Sequence, residues 1–156
     1  MTKLTYQPRG RYFEQFEIGQ QLVTAARTIT ESDIVNFAGM TGDYNQIHTD
    51  AEFAAQDTFG QRVAHGMLVQ SIATGLAVQS GIIEGTVLAF REQSAKFSMH
   101  VFIGATVHVE LKITEIKALP RLGGGNINMK YAVYNQHGKA VQRGDWVMLI
   151  KSQNNS

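Results

Sequence analysis

The sequence predicts an α+β fold in which one long helix packs against a five-stranded antiparallel sheet. Three observations carry that expectation. Residues 63–83 form a nearly continuous apolar segment of helix length. The runs that follow it are rich in β-branched and aromatic residues and are separated by turn residues. One of them alternates Val107, Val109, Leu111 and Ile113 with His108, Glu110, Lys112 and Thr114, the period of a half-buried strand.

The elements follow in order. Residues 1–19 read as an irregular arm with aromatic anchors at Tyr12, Phe13 and Phe16. Residues 21–29 (QLVTAARTI) read as the first strand. Thr30 then caps a helix whose first turn is acidic (Glu31, Asp33), which suits the helix dipole. Ile34, Phe37 and Ala38 lie at helical spacing, and Gly39 and Gly42 bracket the end. Residues 41–47 are expected as a loop, 50–56 as a short helix capped by Thr49 or Asp50, and 57–62 as a second loop. Residues 65–80 are the longest helix. They are apolar on almost every side, so the expectation is burial nearly all round. Strands are expected over 87–97, 106–117, 126–135 and 140–151. Pro120 with Gly123–Gly125, and Asn135 to Gly138, supply the turns. The chain reads as one domain, 1–156, with flexible ends over 1–12 and 152–156.

Composition narrows the function. Apolar residues make up 44% of the 156, enough for a core without disulfides. There is no cysteine, which excludes a thiolate nucleophile and any Cys-based metal site. A net charge of +1, with 14 basic and 13 acidic residues spread along the chain, is not a nucleic-acid binder's field. No apolar run at the N-terminus suits a signal peptide. Segment 63–83 carries His65, Gln70, Ser71, Thr74, Gln79 and Ser80, so it is too polar for a membrane span. The expectation is a cytoplasmic protein with no membrane and no nucleic-acid partner. A five-stranded sheet has two open edges, and pairing between two copies would cover one of them, so a homodimer is expected.

The chemistry-bearing residues cluster between Gly39 and Leu68. Asp43, Asn45 and His48 stand within one short loop. On a helix, Asp43 and His48 would lie about 140° apart; in a loop bordered by Gly42 they can converge. A carboxylate and an imidazole that reach one water form a general acid–base pair, with Asn45 between them to orient it. His65 and Gly66 open the long helix, where backbone N–H groups lack helical partners and favour an oxygen gaining negative charge. Each feature also has a plain structural reading, since Asp shapes turns and a glycine lets a helix pack closely. His48-Thr49-Asp50 with His65 offers no H-E-x-x-H spacing, so no metal is expected. Gly123–Gly125 lacks a following Lys-Ser/Thr and reads as a hairpin connection, not a phosphate loop. Ser71, Ser94 and Ser98 lack a G-x-S-x-G context. His100, His108 and His137 read as structural or exposed.

TGDYNQIHTD (41–50) followed by FGQRVAHGML (59–68), with FSMHVFIGATV (97–107) further on, resembles the MaoC-like hydratase/dehydratase family. The resemblance extends over about residues 13–151, and the family's members include the (R)-specific enoyl-CoA hydratases. It implies a hot-dog fold, with the long helix as the sausage and the sheet as the bun, and a homodimer, assembled further in some members. It implies addition of water to a trans-2-enoyl thioester to give an (R)-3-hydroxyacyl thioester, or the reverse, with an acyl-CoA as substrate. Asp43 and His48 would hold the water with help from Asn45. Gly66, with His65 beside it, would bind the thioester oxygen. No metal or redox cofactor is implied, because the thioester itself acidifies the α-carbon. Two departures stand out: Gln46 replaces a usual proline, and His100-Val101 and Gly104-Ala105 replace Pro-Val and Gly-Asp. The competing readings are a 3-hydroxyacyl-carrier-protein dehydratase, a thioesterase on the same fold, and a non-catalytic acyl-thioester-binding module.

Overall fold

The structure, a computed structural model, describes residues 2–153. Its sheet has the order β1 (Gln21–Val23), β5 (Thr106–Leu119), β6 (Gly124–Asn135), β7 (Ala140–Lys151), β3 (Val87–Gln93), all antiparallel. The five expected strands occupy five positions in that sheet, but two of them are broken.

The first is split into β1 (Gln21–Val23) and β2 (Arg27–Thr28), both paired with β5 (Thr106–Leu119). Between them β1–β2 spends one more residue than β5: Val23 faces Glu110, while Arg27 faces Val107. Thr24 bridges this bulge, because the Val109 N–H donates to its hydroxyl at 3.0 Å and its own N–H donates to the Val109 carbonyl at 2.9 Å. The second is split into β3 (Val87–Gln93) and β4 (Lys96–Phe97), both paired with β7 (Ala140–Lys151). At that break the Ser94 hydroxyl accepts from the Asp145 N–H at 3.0 Å. The Ser94 carbonyl lies so close to Gly144 that a Cβ there would overlap it, so only glycine fits. Neither break is readable as periodicity, since at each one a side-chain hydroxyl replaces a single backbone acceptor while the other backbone bond is kept.

β5, β6 (Gly124–Asn135) and β7 form the centre as a meander. Val107, Val109, Leu111 and Ile113 are buried, as the alternation predicts. The densest part of the core is Trp146 on β7, stacked on Tyr131 of β6 with ring centroids 4.6 Å apart. Helix α4 (Gly66–Gln79) lies against this face through Leu68, Val69, Ile72, Ala73 and Leu76. This is the hot-dog arrangement. Burial of α4 is not all round, however: Met67 is 48% and Val78 40% exposed, and Ser71 lies between them on one open stripe.

Helix α1 (Glu31–Thr41) starts at a reciprocal cap. The Asp33 N–H donates to the Thr30 hydroxyl at 3.2 Å, and the Thr30 N–H donates to the Asp33 carboxylate at 2.8 Å. It ends at Gly42, whose φ of 78° is left-handed. The expected loop 41–47 is shorter than predicted. A one-turn helix α2 (Gln46–Thr49) follows Asn45, and α3 (Ala51–Gln56) begins after Asp50, whose side chain accepts from the Phe53 N–H at 2.9 Å. The N-terminal arm, expected as a flexible end, is joined to the α4–β3 loop. Gly10 N–H donates to the Glu84 carbonyl and Arg11 N–H to the Ile82 carbonyl, both at 2.9 Å, and Arg9 pairs with Glu84. At the other end Gln153 N–H donates to Glu14 at 3.0 Å; residues 154–156 lie outside the described residues.

Candidate active site

Three elements build the site. α2 carries His48 inward until only 8% of it is exposed. Its Nδ1–H donates to the Val63 carbonyl at 2.7 Å. That bond selects the tautomer: a carbonyl only accepts, so Nδ1 holds the proton and Nε2 keeps its lone pair. Burial pushes the His48 imidazolium below the ordinary histidine range. The Val63 bond opposes this, neighbouring His65 lowers it further, and Asp43 raises it. At neutral pH the ring is therefore an uncharged base.

Asp43 follows the left-handed Gly42 and is exposed. Its carboxylate accepts from the Asn45 N–H at 3.3 Å, and its carbonyl accepts from His65 Nε2–H at 2.9 Å. His65 is buried, with its ring stacked on His48 at 3.8 Å and 28°. One ligating atom each from Asp43, His48 and His65 lies within 4.8 Å of the others. Asn45, exposed at the N-cap of α2, is joined to Asp43 through its backbone. Thr49 closes the turn by donating to the Tyr44 carbonyl at 3.0 Å.

The trio is a ligand set by residue type, but the rings run against metal binding. His48 Nδ1 and His65 Nε2 are taken by carbonyls, leaving His48 Nε2 and His65 Nδ1. Lone pairs lie in the ring plane, and two rings stacked at 3.8 Å do not aim theirs at one point about 2.0–2.1 Å from both nitrogens. The arrangement suits proton transfer better.

The third element is the start of α4. Gly66 lies at its first position, and the Gly66 N–H has no hydrogen-bond partner among the described residues. A Cβ at Gly66 would meet the Phe97 ring at 2.7 Å. His48 and Gly66 both line one cavity of about 420 Å³. Its walls are Ile47, Val63, Val69, Met99 and Val101, with Phe59 and His100 in ring contact at 3.7 Å. Asp43 and His65 do not line it: Asp43 is exposed near His48, and His65 holds the Asp43 loop by its backbone carbonyl. A larger trough of about 600 Å³, among Glu110, Lys112, Lys130 and Arg143, contains none of these residues.

Sequence reasoning passed over Gln142. It is 2% exposed, and its Nε2 donates to the Gly66 carbonyl at 2.7 Å across the cavity wall. A signal existed, since Gln142 shares the inward register of β7 with Trp146, Met148 and Ile150.

Residues 13–131 match the MaoC like domain. The chain is 39% identical over 104 residues to Protein MaoC of Klebsiella aerogenes, an alignment covering 67% of this chain and 31% of that protein. It thus spans less than a third of that relative's length. It is 38% identical over 103 residues to the (R)-specific enoyl-CoA hydratase of Rhodospirillum rubrum, covering 66% of this chain and 69% of that one. The structure of R-hydratase PhaJ1 from Pseudomonas aeruginosa superposes with a TM-score of 0.77 at 31% identity, over 91% of this chain and 86% of that one. Among the described residues no helix is long and apolar enough to cross a membrane.

Proposed function

The chain belongs to the MaoC-like domain family and carries its hydro-lyase fold, and we propose that it adds water to a trans-2-enoyl-CoA to give an (R)-3-hydroxyacyl-CoA, reversibly. The observation that carries this reading is the pairing, on one apolar wall, of an uncharged imidazole and an unpartnered helix N-terminal amide. The relatives named as enoyl-CoA hydratases support it.

The steps follow from the groups present. A water lies between the Asp43 carboxylate and His48 Nε2, and gives its proton to Nε2. Its oxygen bonds to C3 of the enoyl group. The C2=C3 electron pair moves toward the thioester, whose oxygen gains charge and meets the Gly66 N–H at the positive end of α4. Asp43 steadies the imidazolium that forms, and the turn built by Asn45 aims it. C2 then takes the proton back from the His48–Asp43 pair. The apolar walls keep other water away and accept the acyl chain. In the reverse direction the same groups dehydrate the hydroxyacyl thioester. His65 holds the Asp43 loop by its backbone carbonyl.

The test is hydration of crotonyl-CoA, followed as loss of absorbance, with the product's configuration determined on a chiral column. Formation of the (R)-alcohol supports the reading; free thiol with intact crotonate would make the protein a thioesterase instead. Running the crotonyl group on coenzyme A and on a carrier protein tells the hydratase from the carrier-protein dehydratase.

The state of His48 sets the pH profile. Its folded-state proton affinity is depressed, so it stays a free base somewhat below pH 6.5, its ordinary value. On acidification the half-point of the fall in kcat/KM for crotonyl-CoA should lie below 6.5, with unit slope on its acid side. Stability falls first, as pH drops from 6.5 to the lower folded value, because between the two the unfolded chain binds the proton that the folded one refuses. A half-point at or above 6.5 would contradict the tautomer and burial assigned to this ring.

We also propose a homodimer. Leu88 and Phe90 lie exposed on the edge strand β3, and Met67 and Val78 on the open stripe of α4. Such apolar surface beside an unpaired edge is a template for association. Sedimentation should give a dimer at micromolar concentration, and Leu88→Lys should shift it toward monomer. A wild-type monomer under those conditions rejects the proposal.

A further inference from the structure

Gln142 has one half of its amide accounted for and the other half unexplained. Nε2 donates to the Gly66 carbonyl, which fixes the amide's orientation, because a carbonyl cannot donate in return. The other end, Oε1, is buried and has no hydrogen-bond partner among the described residues. A buried acceptor left unpaired is costly. Gln142 lies on the wall of the cavity that also holds His48 and Gly66, and it does so from β7, an element that otherwise adds no polar group to this wall. The side chain lines that wall beside the start of α4, and its unpartnered acceptor is buried within the wall, so a ligand N–H that satisfies it must press into the side chain there.

We infer that Gln142 Oε1 accepts a hydrogen bond from the amide N–H of the thiol arm that carries the acyl group. This rests on the thioester reading of the cavity and extends it. The acyl half of an enoyl thioester offers acceptors only: its carbonyl oxygen and its sulfur. The O–H donors of the attacking water, and of the product alcohol, belong at Asp43 and His48. Gln142 instead reaches Gly66, where the thioester oxygen is received. The next donor along the molecule from that carbonyl is the first amide N–H of the phosphopantetheine arm, a short methylene spacer beyond the sulfur. The rest of the wall is mostly apolar, its other polar side chains being His48 and His100, whose ring lies against Phe59. Gln142 thereby joins two parts of substrate binding: one end of its amide steadies the first turn of α4, and the other reads the arm. Carrier-protein and CoA thioesters share that amide, so the residue selects for the arm and not for what lies beyond it.

The experiment compares two small thioesters, crotonyl-N-acetylcysteamine and its ester analogue with the amide N–H replaced by oxygen. Wild type should prefer the amide by about 10-fold in kcat/KM, the size of one hydrogen bond. Gln142→Met removes the acceptor with little change of volume, and the preference should fall to about one. If that variant does not fold, Gln142→Asn, which withdraws the amide by one methylene, is read in the same way. A wild-type preference near one, or a preference unchanged in the folded variants, overturns the inference. Equal losses on both substrates do the same, because they would mark a purely structural role. Calorimetry with the saturated butyryl pair separates the two levels. If neither crotonyl compound is hydrated but the butyryl amide still binds more tightly than its ester, the hydration reading fails and the role of Gln142 stands.

Discussion

Asp43→Asn and His48→Ala should each lower kcat/KM for crotonyl-CoA hydration by at least about 10²-fold, the contribution of one positioned proton-transfer group. The reason lies in how little else is available. The cavity wall is mostly apolar, and no other carboxylate faces His48 within the trio. His48→Ala removes the lone pair that takes the proton and also frees the Val63 carbonyl that held Nδ1. Asp43→Asn keeps the turn, because an amide oxygen still accepts from the Asn45 N–H, but it deletes the charge that stabilises the imidazolium. The two variants should therefore differ in fold stability, with His48→Ala the less stable, while both lose activity. The double variant should lose far less than the product of the single losses, since the pair acts as one unit. Activity near wild type in either single variant removes that residue from the mechanism.

Trp146→Ala should destabilise the protein by about 3–5 kcal/mol, measured from the midpoint of denaturant unfolding. Trp146 is fully buried, stacked on Tyr131 at 4.6 Å and met edge-on by Phe90 at 5.6 Å. It joins the two central strands to the edge strand β3. Its Nε1–H has no partner among the described residues, so the loss is one of packing and not of a hydrogen bond. Trp146→Phe should then cost much less than Trp146→Ala, because it leaves a smaller void and also removes an unsatisfied donor. Equal effects of the two substitutions would mean that the indole N–H does find a partner.

The order of elements was legible because it rests on local patterns. The period of Val107 to Ile113 marks a strand facing a core, and the reciprocal pairing of Thr30 with Asp33 marks a helix start. Gly42 was readable as a helix end, since its left-handed φ is one that glycine reaches at no steric cost. What escaped was the substitution of side chain for backbone. Thr24 and Ser94 break two strands by offering hydroxyls to the ladder, and neither residue looks unlike its neighbours in sequence. The exposed stripe of α4 escaped for a related reason: composition reports how apolar a helix is, not which side the sheet leaves uncovered.

The chain's own residue order was enough to mark an acid, an amide and an imidazole in one glycine-bordered turn, and a glycine opening a long apolar helix. Those are short-range facts, carried by spacing and backbone preference. Folding supplied the rest: the choice of His48 tautomer by the Val63 carbonyl, the His65 ring against His48, and the grip of Gln142 on Gly66 from a strand 76 residues away. Such contacts depend on which strand lies beside which helix end. That is decided by burial of the whole sheet face at once, and no local pattern encodes it.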